Sequence, residues 1–148
     1  MLAIENPPQY LDVIQHPHHF YELIFKAGYP TRPAFDEWLF YLEKIYQLPK
    51  DTSVKLLTDT RLTETIPLAY AFRKTQTLLR QYPNRPKMRL VFLSPHSHAV
   101  VEKLFQSFVQ LLRTGDDIRY FYGDDKRDAL LDFLFANEAE NHPEKLMK

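Results

Sequence analysis

Between Phe20 and Phe135 one pattern recurs four times: a short β-rich apolar run, then a longer segment whose apolar residues return at helical spacing. The runs are Phe20 to Ala27, Ser53 to Thr58, Leu90 to Leu93 and Ile118 to Tyr122. Such alternation constrains the fold strongly, because a connection that carries a whole helix returns the chain to the same end of the sheet. The four strands are therefore expected to be parallel, with right-handed crossovers. Tyr10 to Gln15 adds one antiparallel strand through a hairpin turn at His16-Pro17-His18-His19. The expected architecture is α/β: an N-terminal β-hairpin followed by repeated βα units, making a mainly parallel five-stranded sheet with four helices. Residues 1–136 read as one domain and 137–148 as a polar tail that frays.

The helix ends carry their own signals. Thr31 is the expected N-cap of the first helix, with Pro33 in its first turn and Asp36 and Glu37 near the positive end of its dipole. Its apolar stripe is Phe35, Trp38, Leu39, Leu42, Ile45 and Tyr46, and Phe40 falls on the polar side. Pro67 opens the second helix, whose inward face holds Leu68, Ala71, Phe72, Thr75, Leu78, Leu79 and Tyr82, with Tyr70 as its outlier. Leu90 to Leu93 is unbroken apolar sequence and reads as the central strand. Ser94 and Pro95 start the third helix and Gly115 ends it. Asp124 or Asp125 caps the fourth, which turns Ala129, Leu130, Phe133 and Leu134 inward.

Composition removes several function classes. Across 148 residues, nineteen basic and nineteen acidic side chains cancel, so no long-range positive field draws nucleic acid. There is no cysteine, which excludes disulfides, thiolate metal sites and cysteine nucleophiles. The three glycines, Gly28, Gly115 and Gly123, stand far apart, so neither a dinucleotide fingerprint nor a P-loop can be built. The first residues lack the basic and apolar regions of a signal peptide, and no apolar stretch approaches the roughly 20 residues of a membrane span. A soluble, cytoplasmic protein without cofactor or membrane insertion is expected.

In its last strand and helix, through Ile118-Arg119-Tyr120-Phe121, Asp125, Ala129, Phe133 and Leu134, the chain resembles the STAS (sulfate transporter and anti-sigma-factor antagonist) superfamily, in particular its SpoIIAA-like branch. The order of elements over residues 10–135 is similar too. This resemblance implies a small non-enzymatic regulatory domain that binds a protein partner. In the antagonists the switch is phosphorylation of a serine where the second helix of the repeat begins. The corresponding stretch here is Thr63-Glu64-Thr65-Ile66-Pro67, so Thr65, or Thr63, stands at the acceptor position and the family's glycine has become Ile66 or Pro67. Other branch members resemble the lipid-binding domain of Sec14-type proteins, which implies a small hydrophobic ligand as the alternative.

The remaining candidates follow from placement. His16, His18 and His19 precede a parallel strand and His96 and His98 follow one, so the two groups belong to opposite poles and no metal site is expected. Ligand crevices of open α/β sheets lie at the carboxyl ends of the strands, where Asp59, Ser94 and His96 supply the residue types of a hydrolytic triad. Ser94-Pro95 opposes that use, because a nucleophile elbow needs small neighbours and a strained turn. Phe40 and Tyr70 break two polar helix faces and mark a candidate surface for a protein partner or self-association.

Overall fold

The computed structural model describes residues 2–4, 6–63, 67–95, 103, 106–107, 110–113 and 115–136. Its five strands are β1 (Leu11–His16), β2 (Phe20–Phe25), β3 (Val54–Asp59), β4 (Met88–Ser94) and β5 (Asp117–Tyr122). The helices are α1 (Thr31–Tyr46), α2 (Leu68–Gln81), α3, described at 103, 106–107 and 110–112, and α4 (Arg127–Leu134). The strands lie side by side in chain order, β1 antiparallel to β2 and every other pair parallel. The fold is thus the α/β arrangement that the alternating pattern demands. No helix among the described residues is long and apolar enough to cross a membrane.

Chain-order strands have a consequence for the two faces. Each crossover steps one strand in the same direction, so crossovers of one hand bring their helices to one side of the sheet. Tyr21, Leu23, Phe25, Val54, Leu56, Met88 and Leu90 accordingly pack with α1 and α2 in the larger core. Their neighbours in sequence, Phe20, Leu57, Val91 and Leu93, point the other way and pack with Leu130, Leu131 and Leu134 of α4 and with Phe135. The central strand is β3 rather than β4. An unbroken apolar run reports that both faces are covered, not where the strand lies in the order. In β3 all six residues are buried, Lys55 and Asp59 among them.

Two expected caps are replaced by backbone. The first helical bond of α1 runs from Ala34 N–H to the carbonyl of Pro30, so Pro30 holds the cap position and Thr31 is already helical. Pro33 has no N–H and that of Ala34 goes to Pro30, so neither donor that a Thr31 cap would serve is left for its hydroxyl. In the same way the first bond of α4 runs from the Leu130 N–H to the carbonyl of Lys126, so neither Asp124 nor Asp125 caps it, whereas α2 opens at Pro67 as expected, with the Ala71 N–H bonded to its carbonyl. Glu37 serves another end: its carboxylate accepts the backbone N–H groups of Gln9, Tyr10 and Leu11 at 3.0, 2.8 and 2.9 Å, tying the N-terminal segment to α1. In α4 the buried residues are Leu130, Leu131 and Leu134, while Ala129 is exposed and Phe133 half-buried, so its inward stripe is rotated from the expected one.

The hairpin turn uses its histidines as backbone formers. His18 and His19 both take left-handed conformations, at φ +64° and +55°, a region that histidine enters more readily than most side chains.

Candidate functional site: an apolar cleft between the sheet and two helices

Large aromatic residues on α1 hold the helices off the sheet. Phe35 and Trp38 stack at 5.0 Å between ring centroids, and Trp38 continues to Phe92 at 6.5 Å. The Trp38 indole N–H donates to the buried hydroxyl of Thr58 at 2.9 Å, which satisfies it and fixes the ring. Around these groups a cleft remains. Phe35, Trp38, Leu42 and Tyr46 of α1 form one wall, and Leu68, Ala71, Phe72 and Thr75 of α2 the other. Its floor is the sheet, through Phe25, Leu90, Phe92 and Ile118.

The space open to the centre of a water-sized sphere is about 70 Å³. One water needs roughly 10–15 Å³ by that measure, so the cleft has room for several waters or a small ring system. Few polar groups face it. Among the described lining residues, those with a polar side-chain group are Thr58, Thr75, Tyr46, Asp116 and Trp38, whose N–H is taken by Thr58. Asp116 stands just before β5, and its Oδ1 accepts the Met88 N–H at 2.9 Å at the amino end of β4. Burial, the nearby Asp116 charge and, in the opposite sense, Arg85 act on the Tyr46 phenol; the net effect is a pKa pushed well above its usual value, so Tyr46 stays neutral. The cleft thus has a long apolar body with a carboxylate at its amino-pole end.

At the carboxyl pole the polar candidates assemble into an ion-paired cluster. The Asp59 side chain is buried and accepts from Arg61 through its guanidinium, at 2.8 Å from Nη2, and through its backbone N–H at 3.0 Å. Arg61 also pairs with Asp124 at 2.7 Å. Ser94 ends β4 with its Oγ 3.5 Å from that of Thr60, whose own N–H and hydroxyl go to the Leu93 carbonyl. Asp59 is therefore held by Arg61, and Ser94 lies beside Thr60. His96 and His98 lie outside the described residues, as does Thr65. Thr63 is half-buried in the β3–α2 connection, its N–H bonded to the Thr60 carbonyl.

Phe40 and Tyr70 part company. Phe40 is 52% exposed, edge-on to Tyr41 and under the ammonium of Lys44. Tyr70 is half-buried, packs edge-on against Phe35 at 6.3 Å and donates its hydroxyl to Asp36, so it belongs to the α1–α2 joint instead of an open patch. Helical spacing placed it on the polar side, but the neighbouring helix closes over it.

On the opposite face lies a group whose role the strand pattern did not convey. Glu22 is 4% exposed, and accepts from Arg127 Nη1 at 2.8 Å, from Arg127 Nη2 at 3.3 Å and from the His16 ring. Burial pushes its pKa up, but the hydrogen bonds and charges of Arg127 and His16 outweigh that and hold the carboxyl below its ordinary value. The signal was present: a single charged residue inside Phe-Tyr-Glu-Leu-Ile-Phe must find partners if the strand is covered. His19 meets the Tyr21 hydroxyl at 3.0 Å. Among the described residues, no group of three or more metal-ligating side chains is placed to hold an ion.

No protein-family model, curated protein or solved structure matches the chain.

Proposed function

We propose that the protein is a non-enzymatic binder of a small hydrophobic molecule, received in the cleft between the sheet and helices α1 and α2. The single observation that supports this most directly is the cleft itself: about 70 Å³ of open space walled by Phe35, Trp38, Leu42, Phe72 and Phe92 in a core that otherwise buries its apolar side chains. Protein interiors normally close such space, since unfilled volume forfeits dispersion contacts on every side. An aromatic-walled hollow with few polar groups is the usual form of a small-molecule site. The reading agrees with the ligand-carrying alternative that the STAS-like resemblance implied. A hydrolytic use of Asp59 and Ser94 gains little support, because the Asp59 carboxylate is taken up by Arg61.

Native mass spectrometry of protein purified gently from its own host tests the reading. A retained small molecule of high carbon content, lost in Ala71→Leu, is the expected result; identical bare masses for both proteins would count against it.

A protein-facing role, the other implication of the resemblance, has one observation in its favour: Phe40 holds an aromatic ring in solvent on the outer side of α1. Such rings are favoured at interface centres, and a second copy of the chain is the simplest partner.

A further inference from the structure

We propose that the molecule bound in the cleft is neutral and carries a carbonyl oxygen, and that the Thr58 hydroxyl donates to it. The inference rests on the ligand-binding reading above and adds the polar group that orients the ligand. Thr58 lines the cleft from the carboxyl-terminal half of β3 and is 2% exposed, so bulk water does not serve it. Its Oγ1 accepts the Trp38 indole N–H at 2.9 Å. An indole nitrogen can only donate, so the hydroxyl gives a lone pair to that bond and keeps its own proton. Among the described residues no acceptor lies within hydrogen-bond reach of that proton. A buried donor in that state is costly unless something in the cleft meets it.

Each class of ligand meets the proton differently. A hydrocarbon covers the hydroxyl and leaves it without an acceptor. An ammonium brings donors alone and does the same. A carboxylate accepts, but a full charge needs more than one neutral hydroxyl to replace its water. A carbonyl oxygen accepts the bond and brings no charge. The other threonine of the lining makes no such demand: Thr75 lies within α2, where a threonine can turn its hydroxyl to the carbonyl four residues back. Thr58 has no such recourse, because it stands on a strand paired on both sides, with the ladder carbonyls directed along the sheet and the side chain out of it. The ligand's carbonyl then lies against the sheet beside Phe92, the register partner of Thr58, and its aromatic or short alkyl body lies among Phe35, Trp38 and Leu42.

Trp38 is the chain's only tryptophan, stands in the cleft wall and bonds the same hydroxyl, so its emission reports occupancy directly. The full chain is titrated with benzylacetone and butylbenzene, which share a phenyl ring and a straight side chain and differ by one carbonyl. Since the two differ in their affinity for water, each is compared with itself across variants. Thr58→Val removes the hydroxyl and should weaken benzylacetone about tenfold while changing butylbenzene by less than about twofold. Butylbenzene senses the shape of the cleft and not the donor, so it registers any general disturbance from freeing the Trp38 N–H. Thr58→Ser keeps the hydroxyl and should hold benzylacetone to within about threefold of wild type. Equal losses for the two probes, no loss for the ketone, or a wild type that binds butylbenzene but not benzylacetone would overturn the proposal. A second measurement stands even where Thr58→Val does not fold: the infrared carbonyl stretch of benzylacetone bound to wild type should lie below its position in cyclohexane, and a stretch at the cyclohexane position would overturn the proposal too. Should neither probe bind the wild type, the ligand-binding reading falls and this proposal with it, a different outcome from butylbenzene binding alone.

Discussion

On the sheet face under α1 and α2, the buried strand residues are apolar apart from the hydroxyls of Tyr21 and Thr58, and space is left over. On the face under α4, Glu22, Lys55 and Asp59 are all buried, and each is held. Glu22 has Arg127 and His16, Asp59 has Arg61, and Lys55 has the Ser53 hydroxyl at 3.0 Å and the ring of Phe135 at 5.4 Å. Among the described residues one short helix, α4, covers that face, which explains the difference. Its Leu130, Leu131 and Leu134 cover the middle of that face and no more, so ionic groups with their partners close the margins. The helix ends are tied in likewise, with Arg127 at the start reaching Glu22, and Arg89 donating to the carbonyl of Phe133 in the last turn and to that of Ala136 beyond it. One face spends its covering on order; the other keeps a hollow that can receive something.

The largest expected effect lies on the ordered face. Leu131 is fully buried against the sheet, and Leu131→Ala should cost about 3–5 kcal/mol in urea unfolding, whereas Leu68→Ala on the cleft wall should cost about 1–2 kcal/mol because the space beside it is already open. Equal losses would mean that the cleft is packed like the rest of the core. Next comes Arg127→Ala, which leaves Glu22 inside with one partner fewer and should lower stability by about 1.5–3 kcal/mol at neutral pH.

The sign of its pH dependence follows from the Glu22 carboxyl being held below its ordinary value in the folded protein. The stabilisation is complete above the unfolded value of about 4.3 and is lost as pH falls through the folded value. Wild type should therefore lose urea resistance below about pH 4, and Glu22→Gln, already weakened at neutral pH, should show a shallower loss over that window. Parallel curves would show that Glu22 does not carry the acid limb.

On the cleft face the expected signs reverse. Ala71→Leu places extra carbon atoms in the open volume and should raise stability by about 0.5–1 kcal/mol while it abolishes uptake of small apolar molecules. Destabilisation would mean that no usable volume lies beside Ala71. Smallest of all is Phe40→Ser, expected to shift stability by less than about 0.5 kcal/mol and to weaken self-association in sedimentation; an unchanged profile would remove the interface from consideration.

The architecture was legible because strand and helix periods differ and recur, and the stripes of α1 and α2 point where the pattern put them. Position within the sheet was not, since Leu90 to Leu93 announces coverage without order. Caps were misread at Thr31 and at Asp124 or Asp125, where a backbone carbonyl one position earlier or later supplies the first helical bond. The cleft left less trace still. Phe35, Trp38 and Leu42 look identical in sequence whether they close a core or line a hollow, and Asp116 reads as a turn residue until Met88 and Tyr46 stand beside it. The carboxyl pole drew attention by topology, yet the described part of it is an ion-paired cluster around Arg61.

The central claim, that the cleft receives a small apolar molecule, is tested most directly by titrating butylbenzene against the emission of Trp38 in wild type and Ala71→Leu. The account predicts a saturable change in wild type that is absent from the filled variant. No saturable change in wild type, or the same change in both, would contradict it.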